Sequence, residues 1–171
     1  LRPSMLVMTS VERTIMILKT QPFITATQLK LTRENFYNKL KEKQNSIDSE
    51  LLISLIKLNT CRCLVTIASN PGRVENESLY VSFCYSNKLG VEVVDRLFNR
   101  LTEYFLREGQ AQDLPYVFHE KSYIRLPLSL PLNLGLTDLA FTYLSSTIRL
   151  RSGVYDSKYN LKLFNKAVKS L

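Results

Sequence analysis

Two β-prone runs flanking a turn signature constrain the fold of this chain more than any other feature. Cys61–Ala68 and Leu79–Tyr85 are rich in β-branched or aromatic residues, and Asn70-Pro71-Gly72 stands between them. Proline fixes φ and glycine accepts conformations closed to other residues, so this tripeptide turns the chain. Two strands joined by a polar loop rather than a crossover helix pair antiparallel. The expectation is an α+β fold: a single domain whose antiparallel sheet is built from hairpins, with helices packed mainly on one face. A chain of 171 residues suits one such domain with one core.

Helices are written around this hairpin. Val91, Val94, Leu97, Phe98, Leu101 and Phe105 recur at three-and-four spacing, the period of an amphipathic helix. Gly109 stands where a left-handed C-cap belongs, and Glu92 and Asp95 favour the positive N-terminal end. Glu92–Arg96 and Glu103–Arg107 have i,i+4 spacing. The polar run Arg33–Gln44, with Phe36 and Leu40 one turn apart, predicts an exposed helix. Leu51, Leu52, Ile53, Leu55, Ile56 and Leu58 are apolar around most of a circumference, with Ser46 or Asp48 as N-cap. Such a helix belongs in the core or against another protein. A last helix runs to Leu171, capped by Asp156 or Ser157.

Other segments are less sharply written. Met5–Lys19 fits a strand or a helix, and its β-branched content favours a strand. Thr20-Gln21-Pro22 then turns into a second strand, Phe23–Leu31, completing an N-terminal hairpin. Leu114–Leu128 predicts a further strand or two, and Thr137–Leu150 a helix ended by Gly153. Between them, Leu126–Leu136 reads LPLSLPLNLGL, which in extended form puts six leucines on one side. Its prolines forbid a helix and cannot donate to a ladder, so it is an edge strand or an extended crossing.

The chain holds one histidine, His119, and five glycines, which excludes several chemistries. It carries neither a G-x-x-x-x-G-K-S/T nor a G-x-G-x-x-G phosphate-binding run. Cys61 and Cys63 are too closely spaced for a usual zinc pair and lack a third and fourth ligand, so they read as inert thiols, with Cys84 on the opposite face. An odd cysteine count favours a reducing, intracellular compartment, whether nucleus, cytosol or organelle matrix. Asn76-Glu77-Ser78 matches a glycosylation acceptor, a pattern common by chance. Asp48-x-Glu50 and Glu75-x-Glu77 are single carboxylate pairs, weak cues for a divalent ion. No apolar stretch reaches membrane-spanning length, which predicts a soluble chain, and a start at Leu1 leaves room for a removed targeting segment.

Net charge is +8 and uneven: residues 1–45 carry +5, 46–120 carry −3, 121–148 carry +1 and 149–171 carry +5. Basic ends suggest an anionic partner or simply a solvated face. In the last helix Leu161, Phe164, Val168 and Leu171 form one stripe, and Lys158, Lys162, Lys166 and Lys169 another.

The functional expectation is a non-catalytic structural or adaptor subunit of a larger protein or nucleoprotein assembly, working through apolar partner-binding surfaces. Leu126, Leu128, Leu130, Leu132, Leu134 and Leu136 are the partner-binding candidates. The alternative is a nucleic-acid-binding protein whose Lys158, Lys162, Lys166 and Lys169 contact phosphates. A hydrolase using Glu75, Glu77 or His119 ranks third. No catalytic residue, metal, cofactor or membrane span is expected.

Overall fold

The computed structural model describes residues 23–42, 48–74, 77–108, 116–127, 140–151 and 157–171. The Met5–Lys19 segment, Gly109, Asp156, Gly153 and the leucines from Leu128 to Leu136 lie outside the described residues. The elements are α1 (Ala26–Glu42), α2 (Ser49–Asn59), β1 (Leu64–Asn70), β2 (Leu79–Tyr85), α3 (Lys88–Glu108), β3 (Tyr116–Pro127), β4 (Ala140–Arg151) and α4 (Ser157–Lys169). The four strands form one antiparallel sheet in the order β1-β2-β4-β3.

The central hairpin forms as the sequence predicts. Leu64 pairs with Tyr85 and Asn70 with Tyr80, with a bulge between Thr66 and Ala68. The turn residues act as their chemistry dictates: the Asn70 Oδ1 accepts from the Gly72 N–H at 2.7 Å, and Gly72 takes φ +67°. The first strand starts at Leu64 rather than Cys61, because residues 60–63 close the end of α2.

Alternation along the strands sorts two faces. Leu64, Leu79, Val81, Phe83, Tyr85, Ile148 and Leu150 are buried with Leu51, Leu55 and Leu58 of α2, Val94, Leu97 and Leu101 of α3, and Leu161, Phe164 and Val168 of α4. Three helices thus cover one face, and each fully buried leucine or phenylalanine contributes roughly 1.5–3 kcal/mol. Asn59 ties this layer to the sheet: its Nδ2 donates to the Leu55 carbonyl and the Thr66 hydroxyl, both at 2.7 Å, and its Oδ1 accepts from the Thr66 N–H at 3.1 Å. On the other face, Val65, Cys84 and Tyr143 are buried near the start of α1, where the Tyr143 hydroxyl donates to Gln28 Oε1 at 3.2 Å.

Two expected elements are corrected. Phe23–Leu31 is not a strand, since α1 begins at Ala26. Thr25 and Gln28 form a reciprocal capping box: the Gln28 N–H donates to Thr25 Oγ1 at 3.2 Å and the Thr25 N–H to Gln28 Oε1 at 2.9 Å. Ile24 and Leu29, buried on either side of the cap, occupy the positions of a hydrophobic staple. Thr137–Leu150 is not a helix, since Ala140–Arg151 is the strand β4, paired on both sides. Its Thr142, Thr147, Ile148, Phe141 and Tyr143 suit a pleated surface, and pairing with two neighbours overrides the Leu144–Ile148 helical spacing. Leu114–Leu128 yields one strand, β3, paired with β4 from Tyr116↔Arg151 to Pro127↔Ala140.

Candidate functional site

The outward side of α2 is the clearest surface feature. Asp48 caps this helix, its Oδ1 accepting from Glu50 N–H at 3.0 Å and Leu51 N–H at 3.4 Å. Leu51, Leu55 and Leu58 then point into the core, which fixes where the remaining side chains face. Ile53 is left 66% exposed and Ile56 40% exposed, three residues apart. Apolar side chains that cannot reach the core, on a helix held rigid by its other face, make a preformed apolar strip. Polar groups flank it. The Ser54 hydroxyl donates to Asn165 Oδ1, and Asn165 Nδ2 donates to the Glu50 carbonyl at 3.1 Å.

The α4 lysines divide into two kinds. Lys158, Lys162 and Lys169 are exposed, opposite a buried side made of Leu161, Phe164, Ala167 and Val168. Lys166 is also exposed, but its ammonium lies 4.6 Å from the centroid of the Tyr104 ring of α3. Leu171, assigned by spacing to the buried stripe, lies beyond the helix and is 37% exposed. Of the leucine candidates, Leu126 falls within β3, opposite Phe141.

The carboxylate pair Asp48-x-Glu50 already has its cation. Arg73 Nε lies 2.6 Å from Asp48 Oδ2, and its Nη2 lies 3.6 Å from Glu50 Oε2. That hydrogen bond, with the helix-end N–H groups, holds the Asp48 carboxyl below its usual range. Glu77 accepts a bond from Asn70 Nδ2 at 3.4 Å beside β1, at the opposite edge of the sheet from His119 on β3. The structure does not bring these two hydrolase candidates together.

His119 sits beneath α3, its ring 5.2 Å from that of Phe98. Its Nδ1 lies 3.7 Å from Asp95 Oδ1, which Lys121 Nζ approaches at 3.3 Å. Burial lowers the imidazole pKa; Asp95 opposes this and Lys121 adds to it, so the ring is neutral at pH 7. Its Nε2 meets no hydrogen-bond partner among the described residues, while the buried Tyr85 and Ser146 hydroxyls on the same face interact with each other. Burial also pushes the Cys84 thiol up to about 12, leaving it a protonated core residue.

Glu103 on α3 pairs with Arg100 at 3.5 Å, not with Arg107 as spacing alone predicted. Asp95 turns toward β3, so it serves tertiary packing rather than the helix end. Cys61 and Cys63 lie half-buried in the turn between α2 and β1, against the core. The turn is anchored by Arg33, whose Nη2 donates to the Cys61 carbonyl at 2.7 Å and the Leu64 carbonyl at 2.8 Å.

Among the described residues no helix is long and apolar enough to cross a membrane, and no group of three or more His, Cys, Asp or Glu side chains is placed to hold a metal ion. No protein-family description, curated protein or solved structure matches the chain.

Proposed function

We propose that this chain is a non-catalytic subunit or adaptor of a larger assembly, docking a protein partner on the outward side of α2. The observation carrying this reading is the Ile53–Ile56 strip, exposed on a helix whose opposite side is locked in the core. Burying both side chains in an interface contributes a few kcal/mol at ~25 cal/mol per Å² of apolar area. Rigidity matters as much, since a strip that needs no reordering loses little entropy on binding. The leucines from Leu126 to Leu136 extend the reading as a second apolar surface for the same assembly. Sedimentation of the chain isolated from its own cells tests it. A complex of fixed stoichiometry is expected, and a lone monomer that carries no stoichiometric partner overturns it.

A second reading has its own observation: the exposure of Lys158, Lys162, Lys166 and Lys169 on α4. In this reading the stripe contacts nucleic-acid phosphates. Four neutralised phosphates give a log–log salt slope of about −3 to −4. Changing all four lysines to glutamine flattens that slope and leaves the buried side of α4 intact. Unaltered binding to DNA and RNA by the quadruple variant makes the stripe a solvated face.

A further inference from the structure

We infer that the partner segment docked on α2 is an amphipathic helix with an acidic flank, lying in the groove between α2 and α4. The inference rests on the docking reading above and adds the chemistry of the occupant.

Three side chains fix α4 beside the exposed strip of α2. The Ser54 hydroxyl donates to Asn165 Oδ1, and Asn165 Nδ2 donates to the Glu50 carbonyl at 3.1 Å. Further along, the Lys57 ammonium reaches the carbonyls of Val168 and Lys169 at 2.8 and 2.9 Å. Ser54 thus meets Asn165 and Lys57 meets the end of α4, so the two helices run in the same direction. Ile53 is level with Asn165, and Ile56 with the last turn of α4. Helices packed side by side leave a groove between their outer ridges, and a third helix fits it.

Lysines line the α4 side. Lys162 stands one turn before Asn165 and Lys169 one turn after it, on the flank of α4 that Asn165 joins to α2. Lys158 lies one turn before Lys162, and all three are exposed. None of the three makes an ion pair among the described residues. Lys158 and Lys162 are like charges at i,i+4 spacing, which destabilises a helix standing alone. Lys166 turns toward α3, its ammonium over the Tyr104 ring. The other charged groups at the groove are already engaged: the Lys57 ammonium with the α4 carbonyls, and Glu50 with Arg73 at 3.6 Å. The groove is therefore apolar along α2 and positive along α4.

That combination selects the occupant. Ile53 and Ile56 are about one helical turn apart, the spacing at which a partner helix repeats its apolar side chains. Asp and Glu on the adjoining flank of the same helix then face Lys158, Lys162 and Lys169, a row about 16 Å long. A nucleic-acid backbone would satisfy the lysines and leave both isoleucines against water or phosphate. An apolar helix without acids would satisfy the isoleucines and leave three cations without complementary charge.

The complex isolated from the chain's own cells is treated with nuclease, sedimented over a range of sodium chloride concentrations, and coupled with a carbodiimide, which joins amines to carboxylates in contact. Mass spectrometry is expected to find Lys162 or Lys169 joined to Asp or Glu of one partner segment that spaces its acidic and apolar residues by three and four. The Lys162→Glu, Lys169→Glu double variant is expected to weaken the complex at least about tenfold. It is expected to keep the parent's urea midpoint, because both side chains are exposed. The Ile53→Lys, Ile56→Lys variant, run in parallel, separates the two failures. Loss with that variant but not with the charge reversal, at every salt concentration, leaves the docking surface standing and overturns the acidic helix. Loss with neither, or a parent with no partner, overturns the docking reading itself and the acidic helix with it. Dissociation by nuclease, or cross-links confined to a segment without that spacing, also overturns the acidic helix.

Discussion

Lys57 donates its ammonium to the carbonyl of Val168 at 2.8 Å, and so joins the outer flank of α2 to the last turn of α4. The same ammonium reaches the Lys169 carbonyl at 2.9 Å. The final carbonyls of a helix have no partner within it and carry the negative end of its dipole, so a lysine from a neighbouring helix satisfies both needs. Lys57 follows Ile56 directly, which puts the exposed apolar strip beside a fixed junction between two helices.

Replacing Lys57 with methionine keeps the aliphatic stem and removes the charged donor. Stability is expected to fall by about 1 kcal/mol, discounted from the usual value of a charged hydrogen bond because the site is open to water. A urea midpoint lowered with unchanged slope checks it.

The Thr25–Gln28 capping box defines the start of α1, so Thr25→Ala is expected to cost about 1 kcal/mol and fray the first helical turn. Amide exchange at Thr27 and Gln28 reports the fraying directly. Unchanged protection in the variant would mean that tertiary contacts alone hold α1.

That box was legible in the sequence as threonine followed three residues later by glutamine. The alternation of Phe23, Thr25, Thr27, Leu29 and Leu31 outweighed it as a signal, although two of those five residues are threonines that need not mark a buried face. β4 was obscured differently. Leu144 and Ile148 have helical spacing, and a strand placed between two others is stabilised by pairing partners that local sequence does not contain. The hairpin, α2, α3 and α4 were legible because turn chemistry and apolar period agreed within each segment. For the site, the all-round apolar character of α2 left two places for it, in the core or against another protein. Which residues remain exposed follows only from the packing of Leu51, Leu55 and Leu58.

His119 makes stability pH-dependent in a defined direction. Burial lowers its folded-state pKa below the ordinary 6.5, so the unfolded chain takes up the proton first as pH falls. Its contribution is therefore complete above about pH 6.5 and is lost as pH falls through the folded value, with a slope of at most about 1.4 kcal/mol per pH unit. Urea unfolding across that window is expected to show the loss in the parent and not in His119→Gln. Asp48, held low by Arg73, acts only at more acid pH, as its carboxylate protonates below its ordinary 3.8.

The most direct test of the docking surface is sedimentation of complexes isolated from the chain's own cells, comparing the parent with the Ile53→Lys, Ile56→Lys double variant. Both positions are exposed, so the variant is expected to keep the parent's stability within about 0.5 kcal/mol for each substitution. The account predicts a partner complex of fixed stoichiometry for the parent and a folded, partner-free chain for the variant. A parent that sediments alone, or a variant that remains in an unaltered complex, would contradict it.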